Sequence, residues 1–277
     1  MKKLVLIFLL VFPSVIIFAQ EGTEYTLSLF QHNNESDYYY CLPWNYNNAQ
    51  TDTKLYPLVI YLHGAGSYGE INSLDYLGYS VDDQNPGAVA KNFQINYPSF
   101  VLVPQSKQGW DTSKIIPIIE DFISKYPIDR KRIYLIGHSM GGSGTYILAN
   151  GYYDYNRTLF AAIIRLAGQS QTILRDSVAF HTSVWLHIGL DDSPQRIDTA
   201  REAYNFLRLK NPDTTEFTEK INIGGITGTT TTLKRDNSAI INKTEYDGTG
   251  HDIYRFPFDD KRLISWLFSK KLDYYFK

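Results

Sequence analysis

Apolar residues along the chain gather in short unbroken runs, separated by segments with a helical rhythm. Residues 57–62, 100–103 and 132–136 read as strands buried on both faces, because little within them alternates with polar positions. Residues 160–166 and 184–188 repeat that pattern. Between 112 and 126, Ile115, Ile119, Phe122 and Ile123 fall on one helical face, and Pro117 inside the span puts the predicted start near Lys114. Residues 140–150 read as a small-residue helix, 197–209 as an amphipathic one, and about 260–270 as a closing helix. Residues 25–30 and 37–42, around the polar Asn33-Asn34-Glu35-Ser36, predict an antiparallel hairpin. Residues 244–246 read as a short strand and the Thr-rich tract 227–232 as a low-complexity loop. Strands alternating with helices predict parallel crossovers, hence a doubly wound α/β sheet, mostly parallel, with the hairpin at its N-terminal side.

The start of the chain does not fit this scheme. Lys2 and Lys3 precede an apolar run over 4–12, which resumes after Pro13 and ends at Ala19-Gln20. A basic start, a short apolar middle and a small residue at the exit predict a secretory signal peptide, residues 1–19. A membrane span needs about 20 apolar residues, and Pro13 and the early polar exit argue against one. The expectation is a single domain over 20–277, secreted or periplasmic, with no stable membrane anchor after cleavage.

Composition narrows the chemistry. The net charge is -2 and basic residues are thinly spread, so no nucleic-acid groove is expected. The single cysteine, Cys41, precludes an internal disulfide and reads as a buried small hydrophobe. Aromatic residues are 15%, mostly Tyr, which suits a carbohydrate-facing surface or core packing equally. Asn34, Asn156 and Asn242 begin glycosylation sequons, relevant only in a eukaryotic secretory pathway. The His and Asp residues lack metal-ligand spacing, so no metal or cofactor is expected.

One serine stands out. Gly137-His138-Ser139-Met140-Gly141 joins a buried strand to a helix, so the chain must reverse within a few residues. That turn strains the central residue and thrusts its side chain into the open. Side chains two positions before and after would collide, and both are glycine. The helix behind Ser139 favours developing negative charge. Ser139 is therefore the predicted nucleophile, and His138 beside it a packing residue.

A serine hydroxyl needs a base, and the base an acid that fixes its tautomer. In sites of this kind the chain order is Ser, acid, His. His251, after Gly248-Thr249-Gly250, is the predicted base; His187 lies within an apolar strand and reads as structure. Asp191 and Asp192, in the loop after 184–188, compete as the acid, with Asp191 preferred. Met140 and the loop His63-Gly64-Ala65-Gly66 would supply oxyanion-hole N–H donors, Ala65 ahead of Gly66. His63 reads as a structural hydrogen-bonding residue.

Several of these segments together resemble a known family. Residues 56–66 (YPLVIYLHGAG), Val103-Pro104-Gln105 with Trp110, residues 128–145 (IDRKRIYLIGHSMGGSGT) and Gly250-His251-Asp252 are similar to secreted α/β-hydrolase esterases related to polyhydroxybutyrate depolymerases and feruloyl or acetylxylan esterases. The resemblance covers most of residues 20–277. It implies the α/β-hydrolase fold, a triad of Ser139, an acid after the Trp185 strand and His251, and Trp110 near the substrate cleft. It implies a small or polysaccharide-linked ester as substrate. The family's usual His-Gly-x-x-Asp is split here: His187 keeps its spacing to Asp191, and Gly189 keeps its spacing to Asp192. Residues 211–243 are longer and more polar than the family's usual link, and read either as an overhang of the site or as a solvated hairpin. A prolyl-oligopeptidase-type peptidase would need a propeller of repeats of about 40–45 residues, for which the chain before Pro57 is too short. A non-catalytic binding protein on this scaffold would not need a full Ser-Asp-His set.

Overall fold

The computed structural model describes residues 30–33, 38–43, 45–46, 53–65, 96–106, 108–152, 158–170, 172–254 and 256–273. The expected signal peptide, most of the first hairpin strand, Asn34 and Asn156 lie outside the described residues. The strands are β1 (Phe30–Asn33), β2 (Tyr38–Cys41), β3 (Tyr56–Leu62), β4 (Phe100–Pro104), β5 (Ile128–His138), β6 (Ala162–Leu166), β7 (Ser183–Gly189), β8 (Thr215–Ile223), β9 (Ile226–Arg235) and β10 (Ser238–Tyr246). The helices are α1 (Thr112–Lys125), α2 (Met140–Gly151), α3 (Asp176–His181), α4 (Pro194–Lys210) and α5 (Lys261–Ser269). None of the described helices is long and apolar enough to cross a membrane.

One sheet of 10 strands runs in the order β1-β2-β4-β3-β5-β6-β7-β10-β9-β8. The six strands from β4 to β10 in that order are mutually parallel, while β1, β2 and β9 pair antiparallel with their neighbours. The register aligns the carboxyl ends of the parallel strands: Leu62 pairs with Gly137, His138 with Leu166, Leu166 with His187, and Gly189 with Tyr246. Every loop that leaves these ends therefore meets at one edge, where open α/β sheets place their sites.

The continuous apolar runs are explained by layers on both faces. In β3, Leu58, Ile60 and Leu62 face a core with α1 and α2, while Val59 and Tyr61 face a second core with α5. β5 divides the same way, Ile133 and Leu135 against Tyr134 and Ile136. Each such buried aliphatic side chain contributes about 1.5–3 kcal/mol. Cys41 is buried as expected, and burial pushes its thiol up to about 12.

Two expectations need correction. α1 starts at Thr112, with Pro117 inside it, because Asp111 caps it by accepting from Ser113 N at 2.9 Å. Pro117 and Ser113 are both exposed, so water can reach the carbonyl that Pro117 leaves without a helical donor. The Thr-rich tract is strand β9, not a loop, and residues 244–246 are the end of a strand of 9 residues. β-Branched threonine suits a pleated surface, and the turns on either side allow it. Gly224 and Gly225 (φ 59° and 95°), then Asp236 and Asn237 (φ 47° and 63°), form two tight hairpin turns. Residues 211–243 thus extend the sheet edge as a solvated meander; the first six residues of β8 are all exposed. Asn242 is 2% exposed within β10, so its sequon cannot carry a glycan in the folded chain.

Candidate active site

Ser139 stands alone between β5 and α2 with φ 56° and ψ -114°, a backbone region that L residues rarely adopt. Its surroundings hold it there. Ser139 N donates to Leu166 O at 2.9 Å, and Ser139 O accepts from Ser143 N at 3.0 Å. A Cβ on Gly137 would collide with the Gly141 carbonyl, one on Gly141 with the Leu62 carbonyl, and one on Gly142 with the Leu166 carbonyl. The glycines let the helix start pack directly on the ends of β3 and β6. The strain at Ser139 is carried by these backbone contacts.

His251 reaches this serine from the loop after β10. Its Nε2 lies 2.8 Å from Ser139 Oγ, and its Nδ1 lies 2.8 Å from Asp192 Oδ2. With Nδ1–H donating to the carboxylate, Nε2 is left as the acceptor for the serine proton. The loop is seated by two glycines. Gly248 takes φ 61°, and a Cβ on Gly189 would collide with the carbonyls of Thr249 and Gly250. His138 is a support, as expected: it is buried, its Nε2 donates to His251 O at 3.0 Å, and burial lowers its pKa to about 4. It stays neutral beside His251.

The structure corrects the preferred acid from Asp191 to Asp192. Asp191 is exposed, and its backbone N–H donates to Thr249 O at 2.8 Å. Asp192 turns inward with its side chain 2% exposed. Its Oδ1 accepts from Ser193 N at 2.6 Å and from Arg196 Nη1 at 3.0 Å. Burial alone would raise its pKa; the hydrogen bonds from His251, Ser193 and Arg196 outweigh that and hold the carboxyl below its usual range. The physical reason is the end of β7. The strand stops at Gly189, so residues count from the glycine into the turn and not from His187. His187 stays on the strand, buried against Tyr246 Oη at 2.8 Å, with its pKa lowered by burial to about 3.

Trp110 also needs correction. It is 6% exposed, its ring centroid lies 5.0 Å from that of His63, and a Cβ on Gly144 would collide with it. It packs beneath the start of α2 and does not offer an open surface. His63 is fully buried: its Nε2 accepts from Ser106 N at 3.1 Å, which leaves Nδ1–H to donate to Gly64 O at 2.9 Å. This fixes the turn after β3 next to the serine, since a Cβ on Gly64 would touch Ser139 Cβ at an ordinary 3.5 Å. Ala65 is exposed in that turn and Met140 is half-buried at the first position of α2; Gly66 lies outside the described residues.

Two supporting side chains escaped the sequence reading. Arg196 holds Asp192 and also donates to Gln169 Oε1 at 2.8 Å. Its spacing from Asp192, one helical turn, was the available signal. Ser143 Oγ accepts from Gln169 N at 3.1 Å and Ser170 N at 3.0 Å, tying the loop after β6 to α2. Nothing in the sequence pattern marks that contact. Among the described residues, no group of three His, Cys, Asp or Glu side chains is placed to hold a metal ion.

No protein-family profile matches the chain, and no curated protein matches it. Solved structures do. A thermostable esterase superposes with a TM-score of 0.63 at 22% identity, over 89% of this chain and 64% of that one. The chain thus spans less than two thirds of the length of that esterase. An acetyl xylan esterase from Aspergillus awamori gives 0.57 at 17% identity, over 83% of this chain and 93% of that one. A fluorophosphonate-binding serine hydrolase of Staphylococcus aureus gives 0.53 at 14%, over 86% and 96%. This chain has the α/β-hydrolase fold. At these identities the likeness carries the fold and nothing finer, so the activity has to be argued from the site.

Proposed function

We propose that the protein is a serine hydrolase of carboxylic esters that works through an acyl-enzyme. The observation that carries this is the unbroken relay Ser139–His251–Asp192, with 2.8 Å at both links, at the carboxyl edge of a parallel sheet. Ser139 Oγ attacks the acyl carbon as His251 Nε2 takes its proton. Asp192 stabilises the resulting imidazolium without becoming protonated itself. The backbone N–H groups of Met140 and Ala65 take the developing oxyanion. His251 returns the proton to the leaving alcohol, and water, activated by the same base, releases the acid from Ser139.

A small ester or a polysaccharide-linked acyl group, acetyl or feruloyl, is the substrate class. The resemblance of residues 56–66 and 128–145 to exported esterases supports it. Residues 1–19 would export the protein to the periplasm or beyond, with cleavage after Ala19. The test is Ser139→Ala on p-nitrophenyl acetate: kcat should fall by on the order of 10⁵–10⁶. In the unaltered protein, a fluorophosphonate probe should label Ser139. Unchanged turnover, or label on another residue, refutes the assignment.

A further inference from the structure

We infer that the cleft between α2 and α4 is a binding site for a small monocarboxylate with a compact apolar body, separate from the Ser139 site. The inference starts from Arg165, on β6. It is 3% exposed, whereas Arg132, Arg196, Arg201, Arg235 and Arg262 all lie nearer the surface and pair with carboxylates. Arg165 pairs with none among the described residues. Its Nη2 donates to Ser170 O at 2.8 Å, and the guanidinium lies over the Tyr146 ring, 4.3 Å from the centroid. The Tyr146 hydroxyl is its one side-chain hydrogen-bonding neighbour among the described residues, and Nη1 has no partner of good geometry there. A Cβ on Gly168 would collide with Nε, so that glycine makes room for the guanidinium.

A buried cation without a protein counter-charge is costly, because burial removes much of its hydration. Arginine cannot escape by losing its proton. Beside it lies a cavity of about 310 Å³, lined by Arg165, Tyr146, Ser170, Thr199, Ala203 and Phe206. That size is at the lower end for small-molecule sites. Ala203, Phe206 and the Tyr146 ring give apolar walls, and the cationic group is a single planar fork suited to a carboxylate. Glu202 also lines the cavity and is exposed. Its negative charge repels a dianion such as phosphate about twice as strongly as a monoanion, which favours a single carboxylate on the Arg165 fork. A neutral ligand would leave Arg165 unpaired.

The inference does not depend on the chemistry at Ser139. Its test is calorimetric titration of the full chain carrying Ser139→Ala with benzoate, cinnamate and hexanoate, and with inorganic phosphate as the contrasting anion. At least one carboxylate should bind saturably, and phosphate should not. Arg165→Met should weaken that binding at least about tenfold, as expected for the loss of a charge-assisted hydrogen bond. Ala203→Phe fills the cavity while leaving Arg165 in place, and should abolish binding with the fold intact by circular dichroism. The inference fails if none of the three carboxylates binds, if binding survives Ala203→Phe, or if phosphate binds in an Arg165-dependent way. None of those results bears on hydrolysis by the unaltered protein.

Discussion

The turn that carries Ser139 and the turn that carries Asp192 leave the same sheet edge two strands apart, yet they are built on different principles. At Ser139 the backbone decides. Gly137, Gly141 and Gly142 sit where any Cβ would strike a carbonyl of β3, β6 or the turn itself, and the serine is left at φ 56°. At the acid turn the backbone offers two adjacent carboxylates, and hydrogen-bond partners choose between them. Asp192 is chosen by Ser193 N, Arg196 and His251, while Asp191 contributes only its N–H. A site fixed by main-chain collisions leaves a glycine signature in the sequence. One selected by hydrogen-bond partners from three separate positions leaves much less.

The sharpest way to break this contrast is to remove each carboxylate in turn. Asp192→Asn should cost on the order of 10⁴ in kcat, because an amide holds His251 in the wrong tautomer. Asp191→Asn should change kcat by less than about threefold, as expected at an exposed site away from the relay. Steady-state kinetics on one ester would decide it; equal losses, or the reverse order, would overturn the correction made to the acid.

The backbone side of the contrast is tested by stability. Gly141→Ala puts a methyl group against the Leu62 and His63 carbonyls, which cannot move without disturbing β3. Overpacking of this kind costs roughly 1–3 kcal/mol or more, a drop in Tm of about 2–4 °C for each kcal/mol in a domain of this size. Gly224→Ala meets nothing within 4 Å and carries only the strain of φ 59°, about 1 kcal/mol. Thermal melts should rank them in that order. If Gly141→Ala is the milder change, the collisions are not what shapes the turn.

The same division explains what could be read in advance. The central strands were legible because burial on both faces leaves no polar alternation, as in β3 and β5. The order Ser, acid, His was legible because the parallel register brings successive strand ends to one edge. The far edge was not. The first six residues of β8 are exposed on both faces, and β9 has one wet face and threonines in place of a clear apolar alternation; the available signal was in their turn residues. Trp110 carried a family expectation of a substrate-binding place near the cleft, but it packs against Gly144 and His63 under α2. That choice depends on residues some 34 and 47 positions away, which no local pattern encodes.

The smallest expected effect tests the partner side of the contrast most directly. Arg196→Gln keeps a hydrogen-bonding group beside Asp192 but removes the charge. Asp192 is held below its ordinary pKa in the folded state, so its ionised form stabilises the fold fully above the unfolded value of about 3.9. That contribution is lost as pH falls through the lower folded value. Without Arg196 the folded value moves up toward the unfolded one, and part of the contribution disappears. The arginine is partly exposed, so the loss near neutrality should be at most ~1 kcal/mol. The difference in Tm between wild type and Arg196→Gln should therefore be present at pH 7 and close in strongly acidic solution. The acid-side loss of activity should begin at higher pH in the variant. A Tm difference that stays constant across that range would mean that Arg196 acts through packing on Gln169 and Ser193, and not through its charge on Asp192.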